Sequence, residues 1–516
     1  MTTSPIRFFH RGAIVDVADA APTRTVLDWL REDARCTGTK EGCNEGDCGA
    51  CTVVIGEPAV PGDPAAVRGL SLRTVNACIQ FLPTLHGKAL FTVEDLKAMT
   101  DEPLHPVQQA MVDCHGSQCG FCTPGFVMSL WSTYEHSRAC DRVPTRQQLA
   151  DELSGNLCRC TGYRPILDAG QRMFDLPDAV LDTAPVLAAL KQIGHGAAGE
   201  SATFDYRAAG AAFHAPKTLD ELAALREANP NATLLAGSTD IGLWVNKQFR
   251  PLGDIVYVGD VAELKQIGEE DDGAVKGTLI IGAGASLEAA WAALAQRWPT
   301  LTDVWLRFAS PPIRNAGTMG GNVANGSPIG DSAPILMALD AQIELRKGAR
   351  VRRMPLPEFY VDYMKNRLEA GEFVQAIVVP PLPATRQVRG YKISKRFDCD
   401  ISAVCAGLAV QLDDANVVQA VRLAYGGMAA IVKRAATAEA ALLGRPWTKE
   451  SIAAAQAALA DDFKPLTDMR ASAAYRLQVA GNLLQRFWLE TRRENPLPVT
   501  ATSVWSVMPH ATAAAA

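Results

Sequence analysis

Eight of the 13 cysteines fall into two sets of four within the first third of the chain. The first set is Cys43, Cys48 and Cys51, followed at a distance by Cys78. A C-x4-C-x2-C triplet with one remote cysteine is the ligand spacing of one type of [2Fe–2S] cluster. Glycines in the loop let the backbone wrap around a cluster and aim N–H groups at its sulfurs. The first set therefore predicts a redox-active cluster site.

The second set combines two short cysteine pairs, Cys119 with Cys122 and Cys158 with Cys160. Two redox-capable sites in one chain favour an electron relay over a lone structural metal. Structural zinc also uses four cysteines in short pairs, so zinc is an alternative, mainly for the second set. Disulfides are disfavoured because the N-terminus lacks the apolar stretch of a secretory signal. The other five cysteines are interpreted as ordinary thiols, at Cys36, Cys114, Cys140, Cys399 and Cys405.

The composition is that of an ordinary globular protein, 48% hydrophobic and 21% charged. The net charge of −6 argues against general binding of nucleic acid or acidic membranes. No apolar run is long enough to span a bilayer, so we expect a cytoplasmic protein without nucleic-acid or membrane partners. A chain of 516 residues should hold about three to five domains.

Strand patterns and helix-capping residues along the chain predict the strands and helices that position these cysteines. Residues 1–88 contain short strand patterns around one helix and the first cysteine loop, which predicts a small α+β domain. Over 89–180 the pattern is helical, with Thr or Pro at helix starts and Gly after helix ends. Four helices are predicted, at 105–114, 123–134, 145–153 and 165–174. Short links predict an antiparallel bundle, which brings both cysteine pairs of the second set to one end.

The rest of the chain is predicted to hold a linker and two further domains. Weak periodicity and small residues predict a linker over 181–203. Mixed strand and helix signals follow over 204–385, then strands and helices over 386–498. The tail over 499–516 is expected to be flexible.

Two Gly-rich loops lie in the 204–385 region, one over 234–242 and one over 315–331. Glycines beside hydroxyl groups allow the backbone to approach a phosphate closely. Neither loop has the Gly-Lys-Ser/Thr of a P-loop, and the segment 282–287 departs from the dinucleotide fingerprint at its sixth position, Leu287. Each loop alone is compatible with a plain surface turn. Because both loops follow two iron–sulfur sites in the same chain, together they favour a flavin-binding site.

Three cysteine motifs, the two Gly-rich loops and the segment 425–429 resemble the xanthine dehydrogenase family. The cysteine motifs occupy 38–52, 115–125 and 155–166, and the resemblance runs from about residue 5 to 495. It implies a multidomain α+β protein with four domains in order. These are a β-grasp, plant-type [2Fe–2S] ferredoxin domain (1–88), a four-helix-bundle [2Fe–2S] domain (89–180), an α/β FAD-binding domain of the PCMH/vanillyl-alcohol-oxidase type (204–385) and a C-terminal α+β flavoprotein domain (386–498).

The resemblance also implies cofactors: two [2Fe–2S] clusters held by the two cysteine sets, FAD, and NAD as electron acceptor. Gly237 is expected where the backbone meets the pyrophosphate of FAD. The segment 392–400 matches a loop that controls NAD access in relatives. FAD contacts carried over by motif are Leu234, Leu235, Ala236, Gly237, Ser238, Thr239, Asp240, Ile241, Phe308, Gly317, Thr318, Met319, Gly320, Gly321, Asp331, Val374 and Lys392.

Larger relatives continue into a molybdenum-cofactor domain, and this chain stops before one. The resemblance therefore implies a larger molybdenum-bearing partner that hydroxylates xanthine or hypoxanthine, in an (αβ)2 heterotetramer. Electrons are expected to pass through the bundle cluster and then the N-terminal cluster to FAD and NAD. No side chain of this chain is expected to act as an acid or base on the purine.

Several alternatives stay open at this stage. The same relay could serve an aldehyde or another N-heterocycle, because the substrate pocket is expected on the partner. Oxygen could replace NAD as acceptor, and the potentials of the cofactors cannot be derived from sequence. A zinc-stabilised scaffold is the alternative from a different class.

Overall fold

The computed structural model describes residues 4–63, 65–194, 203–271 and 276–502. The predicted tail beyond residue 502, and residues 195–202 of the predicted linker, lie outside these ranges. The chain forms two compact units. The first comprises Met1–Leu264, Ser286–Glu288 and Ala309–Thr318, and the second Lys265–Ala285, Ala289–Phe308 and Met319–Ala516. No helix of the described residues is both long and apolar enough to cross a membrane.

The first unit opens with a six-stranded mixed sheet crossed by one helix. In chain order its strands are β1 (Ile6–His10), β2 (Ala13–Val17), β3 (Thr52–Pro58), β4 (Ala66–Val67), β5 (Leu70–Asn76) and β6 (Ala89–Phe91), arranged β2-β1-β6-β3-β5-β4. Strand β1 pairs parallel with β6, and the other neighbours are antiparallel. Helix α1 (Val26–Asp28) continues as a π turn over Trp29–Asp33 and buries Val26 and Leu27. The long loop between this helix and β3 carries the first cysteines.

Four helices then form the predicted bundle: α2 (Pro106–Asp113), α3 (Thr123–Ala139), α4 (Arg146–Glu152) and α5 (Arg164–Arg172). Capping explains two of the starts. The side chains of His105 and Thr145 each accept a backbone N–H of the first turn and complete a capping box. Trp131, Tyr134 and Leu149 are buried in the bundle core. Short loops join α2 to α3 and α4 to α5, and these loops carry the second cysteine set.

The predicted linker over 181–203 is wrong where the structure contains helix α6 (Thr183–Gln192). Val186 and Leu190, spaced four residues apart, are 2% and 0% exposed and join the core of the bundle. Two buried apolar positions on one helix face outweigh the small residues that favoured a linker.

A second sheet completes the first unit. Its strands are β7 (Phe204–Ala208), β8 (Ala211–Ala215), β9 (Thr233–Leu235) and β10 (Ile255–Tyr257), in the order β7-β8-β10-β9, with α7 (Leu219–Ala228), α8 (Ile241–Asn246) and α11 (Pro311–Ala316) in the same unit. Strands β9 and β10 are parallel. The chain leaves the carboxyl end of β9 directly into the first Gly-rich loop, and ligands of α/β folds bind beyond the carboxyl ends of strands.

The second unit contains a five-stranded sheet in the order β11-β12-β17-β13-β14. Its strands are β11 (Ile267–Glu270), β12 (Thr278–Gly282), β13 (Gln342–Lys347), β14 (Arg350–Pro355) and β17 (Phe373–Val379), and a small hairpin consists of β15 (Tyr360–Asp362) and β16 (Lys365–Asn366). The accompanying helices are α9 (Leu287–Arg297), α10 (Thr302–Arg307), α12 (Met319–Asn325), α13 (Ser332–Ala338) and α14 (Leu356–Phe359).

A four-stranded antiparallel sheet with three helices forms the C-terminal part of the second unit. The elements are β18 (Arg386–Ile393), β19 (Val404–Leu412), β20 (Val418–Gly426), β21 (Lys433–Arg434), α15 (Ala436–Leu442), α16 (Lys449–Asp462) and α17 (Ala473–Thr491). The sheet order is β18-β19-β20-β21. Ala480, Leu484 and Phe487 of α17 are buried, so this face packs into the core.

Candidate functional site

The first cysteine set lies in the loop before β3 and in the turn after β5. Cys48 donates its thiol hydrogen bond to Cys43, and this contact lowers the pKa of Cys43 to about 5. The backbone N–H of Cys48 points at the same sulfur, 3.3 Å away. Cys78 donates to Cys51 in a second pair, which lowers the pKa of Cys51 and raises that of Cys78. Cys51 and Cys78 are 2% and 1% exposed, so this pair is buried.

Close packing around the first loop leaves little room for side chains on its backbone. A Cβ atom on Gly42 would lie 2.8 Å from the sulfur of Cys48, closer than atoms pack. Lys247 donates from Nζ to the carbonyl oxygen of Cys43 at 2.6 Å. The loop is therefore held in a fixed path by contacts from outside it as well as from within.

The second cysteine set lies at one end of the bundle, as its topology predicts. Cys160 hydrogen-bonds to Cys119; the backbone N–H of Phe121 and this thiol together lower the pKa of Cys119. Cys122 pairs with Cys158, and burial together with this bond raises the pKa of Cys122 to about 12. Cys119 and Cys160 are exposed, whereas Cys158 is buried. One pair thus faces solvent and the other faces the protein.

Thr161 adds hydrogen bonds to the buried pair of the second set. Its hydroxyl donates to the sulfur of Cys158 at 3.2 Å, and its backbone N–H donates to the same sulfur at 3.4 Å. Burial raises the pKa of the Cys158 thiol, but these donors, together with the backbone N–H of Cys160 and the thiol of Cys122, outweigh burial and the net pKa is lowered. A sulfur with two donors suits a thiolate ligand, because the donors stabilise negative charge.

The grouping of the thiols can be compared with what a two-iron cluster needs. Among the described residues, no three or more His, Cys, Asp or Glu side chains converge as a ready site for a single metal ion. Both cysteine sets are instead arranged as two thiol pairs. A [2Fe–2S] cluster takes four cysteine thiolates, two on each iron, so two neighbouring pairs fit its ligand requirement.

Hydrogen bonds connect the two cysteine sets to each other and to the first Gly-rich loop. The backbone N–H of Leu157 donates to the carbonyl oxygen of Cys48 at 3.0 Å. Gln80, two residues after Cys78 of the first set, donates from Nε2 to the carbonyl oxygen of Gly237 at 3.2 Å. Asn246 donates from Nδ2 to the carbonyl oxygen of Cys78 at 2.7 Å. These contacts all lie within the first unit.

Within the first unit the two Gly-rich loops touch through their backbones. A Cβ atom on Gly237 would lie 1.9 Å from the carbonyl oxygen of Ala316, so only glycine fits there. This contact is a separate reason for glycine at this position, and the approach of its backbone to a phosphate stays a prediction. The left-handed residue is its neighbour Ser238, with φ of 60°.

The hydroxyl of Ser238 is one feature of the first loop that fits a bound ligand. The residue is 3% exposed, and its Oγ is buried without a hydrogen-bond partner in the protein. Most buried side-chain polar atoms of native proteins have a hydrogen-bond partner. A ligand with hydrogen-bonding oxygens, such as a phosphate of FAD, supplies the missing partner, so the loop fits this cofactor. Thr239 and Asp240 follow in the same loop before α8 begins at Ile241.

Of the remaining residues for which FAD contacts are predicted, Gly317 and Thr318 belong to the first unit and the others to the second. Lys392 on β18 donates from Nζ to Asp331 at 2.7 Å and to Ser402 at 2.8 Å. Ser402 in turn donates to the other oxygen of Asp331 at 2.6 Å. All three are at most 3% exposed, and sequence reasoning missed Ser402 because only the fold brings it to this ion pair. A buried ion pair satisfied on both sides is a rigid polar feature.

The other predicted FAD contacts of the second unit lie on separate elements of the fold. Phe308, 9% exposed, follows α10, and its ring centroid lies 6.0 Å from that of Trp291. Val374 lies on β17 opposite Leu345 of β13. Met319, Gly320 and Gly321 form the first turn of α12; the N–H groups of the first two donate to carbonyl oxygens of the segment 283–285. That segment, which lacks a full dinucleotide fingerprint, therefore supports the second Gly-rich loop.

Family models match four consecutive stretches of the chain. They are the 2Fe-2S iron-sulfur cluster binding domain over 9–81, the [2Fe-2S] binding domain over 92–171, the FAD binding domain in molybdopterin dehydrogenase over 205–382 and the CO dehydrogenase flavoprotein C-terminal domain over 389–491.

Curated relatives match along most of the chain. Xanthine dehydrogenase from Emericella nidulans is 30% identical over 94% of this chain and 38% of its own length. Xanthine dehydrogenase from Drosophila subobscura is 32% identical over 83% of this chain and 34% of its own length. This chain thus spans little more than a third of each of these relatives. Among solved structures, a carbon monoxide dehydrogenase chain from Hydrogenophaga pseudoflava is 28% identical, with a TM-score of 0.49 over 53% of this chain and 94% of that chain.

Two cysteine-based cluster domains followed by two flavoprotein domains define an iron–sulfur flavoprotein of the molybdopterin dehydrogenase class. Within that class, the chain belongs to the xanthine dehydrogenase family and carries its iron–sulfur and FAD portion. The predicted fold class and the predicted [2Fe–2S] and FAD cofactors are confirmed at the level of domains. The zinc-stabilised scaffold is not favoured.

Proposed function

We propose that this chain is the electron-transfer portion of an NAD-dependent xanthine dehydrogenase. In this role it takes electrons from a larger molybdenum-bearing partner that hydroxylates xanthine or hypoxanthine, and delivers them to NAD. The names of the matched relatives and the molybdopterin dehydrogenase domain model support the proposal. When bound, the clusters supply one-electron steps, and FAD supplies the two-electron hydride transfer to NAD.

The observation that carries the proposal is an ordered set of contacts within the first unit. The pair Cys119–Cys160 is exposed at the surface. Cys158 of the same set follows Leu157, whose N–H binds the carbonyl oxygen of Cys48 in the first set. Gln80, two residues after the last cysteine of the first set, reaches Gly237 of the Gly-rich loop. This order supports passage from the surface through the bundle site and the N-terminal site to the flavin loop.

Each proposed group is assigned to the residues of this chain that would hold it. We assign one cluster to Cys43, Cys48, Cys51 and Cys78, and the other to Cys119, Cys122, Cys158 and Cys160. The FAD contacts are proposed as 234–241, Phe308, 317–321, Asp331, Val374 and Lys392. In the first loop the unpartnered Ser238 hydroxyl binds a cofactor oxygen, while Asp331 and Ser402 fix the position of Lys392.

The segment 392–400, which begins at the end of β18, is proposed to lie on the path of NAD. Arg307 holds it through a hydrogen bond from Nε to the carbonyl oxygen of Phe397 at 3.1 Å. The same guanidinium lies 4.3 Å from the centroid of the Phe397 ring and donates to the carbonyl oxygen of Lys392 at 3.0 Å. Arg307 thus links this segment to the strand that carries the proposed flavin contact.

The partner is proposed to dock on the exposed pair of the bundle site, since this is the cluster site with ligands at the surface. We propose an (αβ)2 assembly in the cytoplasm. Electrons would then reach the chain at Cys119 and Cys160 and leave it at the flavin domain. In this arrangement the chain transfers electrons and reduces NAD, and the purine reacts on the partner.

The proposal is tested on the complex of this chain with its molybdenum-bearing partner. Xanthine-dependent reduction of NAD and NADH-dependent reduction of a dye are measured anaerobically for the wild type and for Cys119→Ser. We expect the variant to lose xanthine-dependent reduction of NAD and to keep NADH–dye activity, because only the surface end of the relay is damaged. The control is Cys140→Ser, which alters another exposed cysteine outside both sets and should leave both activities unchanged.

Two results would contradict the proposal. Undiminished xanthine-dependent reduction of NAD by Cys119→Ser would remove the bundle site from the route. Absence of xanthine-dependent reduction by a wild-type complex with its iron, flavin and molybdenum in place would exclude xanthine as the substrate.

A further inference from the structure

The buried side chain of Asn156 joins three separate segments of the first unit. Its Nδ2 donates to the carbonyl oxygen of Gly49 at 3.0 Å and to the hydroxyl of Thr52 at 3.1 Å. Its Oδ1 accepts from the hydroxyl of Ser129 on α3 at 2.6 Å. Asn156 is 2% exposed, so these bonds are shielded from water. One amide therefore ties the first cysteine loop and β3 to the bundle.

The backbones around this amide pack closely enough to exclude other residues. A Cβ atom on Gly49 would lie 2.2 Å from the carbonyl oxygen of Gly155. A Cβ atom on Gly125 of α3 would lie 2.2 Å from the carbonyl oxygen of Gly49. Three glycines from three segments thus meet directly beside Asn156, and the first cysteine loop rests on the bundle without side chains between them.

The residues that neighbour Asn156 and Gly49 in sequence lead directly to the two cysteine sets. Leu157 follows Asn156 and donates its backbone N–H to the carbonyl oxygen of Cys48. Cys158 of the bundle site comes next in sequence, and Gly49 follows Cys48. A route from Cys158 to Cys48 therefore passes through the peptide bond to Leu157, the backbone of Leu157 and one hydrogen bond of 3.0 Å. The geometry of this bond depends on how Asn156 and Gly49 are held.

We propose that Asn156 is a positioning residue for electron transfer between the two cluster sites. The proposal rests on the relay function proposed above and adds a residue that holds no cofactor and touches no substrate. Its amide fixes the Leu157–Cys48 hydrogen bond in place and so sets the separation and coupling of the two sites. Asn is suited to this role because it donates two bonds from Nδ2 while accepting one at Oδ1, which neither Asp nor Leu can do.

The test compares variants of the purified, cluster-loaded chain. Asn156→Asp keeps the shape of the side chain but replaces the Nδ2 donor by an oxygen that faces the carbonyl of Gly49. Ser129→Ala removes only the bond to Oδ1 and leaves both Nδ2 bonds. The control is Gln456→Glu, which deletes the amide donor to the carbonyl oxygen of Gly481, a 2.8 Å bond in the second unit.

Three quantities are measured: iron content with the two paramagnetic cluster signals, the magnetic interaction between the two reduced clusters, and the rate at which they equilibrate after rapid one-electron reduction. For Asn156→Asp we expect both signals, a weaker magnetic interaction and equilibration slower by about tenfold or more, because small displacements cost large factors in rate. Ser129→Ala should fall between this variant and the wild type. Gln456→Glu should match the wild type in interaction and rate, whatever its melting temperature.

Unchanged interaction and rate in Asn156→Asp would overturn the proposal and leave Asn156 a purely structural residue. If Asn156→Asp assembles only one cluster, Ser129→Ala decides: slower equilibration supports the proposal and wild-type equilibration overturns it. These readouts involve neither xanthine nor NAD nor the partner. A wrong substrate assignment would therefore leave this test intact, whereas absence of two clusters in the wild-type chain would contradict the relay function itself.

Discussion

The two cysteine sets of the first unit differ in their exposure to solvent. In the N-terminal set, Cys51 and Cys78 are almost fully buried. In the bundle set, Cys119 and Cys160 are exposed at the surface. A cluster held by buried thiolates is insulated from water, whereas one with ligands at the surface can exchange electrons with another protein. The comparison supports the proposal that electrons enter at the exposed bundle site and pass on through the N-terminal site.

The two sets also differ in the donors that reach their sulfurs. In the N-terminal set most donors are backbone N–H groups, such as those of Glu45, Asp47 and Cys48 at the sulfur of Cys43, and Nδ2 of Asn76 lies 3.9 Å from the sulfur of Cys51. In the bundle set a hydroxyl and an N–H of the single residue Thr161 reach one sulfur. Because hydrogen bonds to sulfur and solvent exposure both set cluster potentials, we expect clusters held at the two sites to differ in potential.

The largest effect is expected from removing a ligand of one set only. Cys158→Ser should abolish one of two distinct [2Fe–2S] paramagnetic signals and leave the other, since the sets use separate thiols. Cys114→Ser, at the end of α2 and outside both sets, should change neither signal. Two signals at full intensity in Cys158→Ser would refute the assignment of the bundle site, and loss of a signal in Cys114→Ser would show that the wrong ligands were assigned.

The next comparison is between the stability losses expected for alanine at one glycine in the first cysteine loop and at one glycine in the loop between α2 and α3. Gly49 and Gly120 have φ of +70° and +83°, but a Cβ atom would meet Gly155 at 2.2 Å in the first case and nothing within 4 Å in the second. Gly120→Ala should lower the free energy of unfolding by about 1–2 kcal/mol through its backbone conformation alone. Gly49→Ala should cost about 2–5 kcal/mol, because overpacking adds about 1–3 kcal/mol.

Denaturant unfolding of the two glycine variants, with iron content determined on the same samples, measures this difference. Equal losses of stability would mean that the contact between the first cysteine loop and the bundle can relax freely.

The smallest effect is expected at Thr161. Thr161→Val removes the hydroxyl donor to Cys158 and should lower the potential of the bundle cluster by about 40 mV, since a hydrogen bond is worth about 1 kcal/mol and 59 mV corresponds to a tenfold change for one electron. Thr161→Ser keeps the hydroxyl and should restore the wild-type potential. Redox titration followed by the two cluster signals tests this, with the N-terminal cluster as internal reference. A shift of both potentials, or of neither, would contradict a local role for Thr161.

Much of the fold was predictable because its signals are local. Cysteine spacing identified both sets, and the capping residue Thr145 together with Pro106 at a first turn located helix starts to within a residue. The meeting of the two cysteine pairs at one bundle end followed from topology. Helix α6 was missed because its two buried positions are too few to stand out among small residues.

The contacts that join distant segments were not predictable. Ser402 completes the Asp331–Lys392 ion pair from 71 residues away, and no periodic pattern marks such an encounter. Asn156 lies within the motif of the bundle site, beside Cys158, so its position could have drawn attention. Its role could not be derived, because its partners at Gly49 and Thr52 are brought to it only by packing. Sequence predicts elements and ligand sets, while the links between sites arise from tertiary structure.

The Gly49–Asn156 hydrogen bond also bears on how the protein matures. Its two residues are 107 positions apart, so the N-terminal sheet is synthesised well before the segment that braces its cysteine loop. At about 5–20 residues per second, the loop waits roughly 5–20 seconds for that brace during translation. Its cysteines are therefore less constrained in the nascent chain than in the finished protein. The first cysteine loop thus gains its last contacts only once the helices that carry the second set have been made.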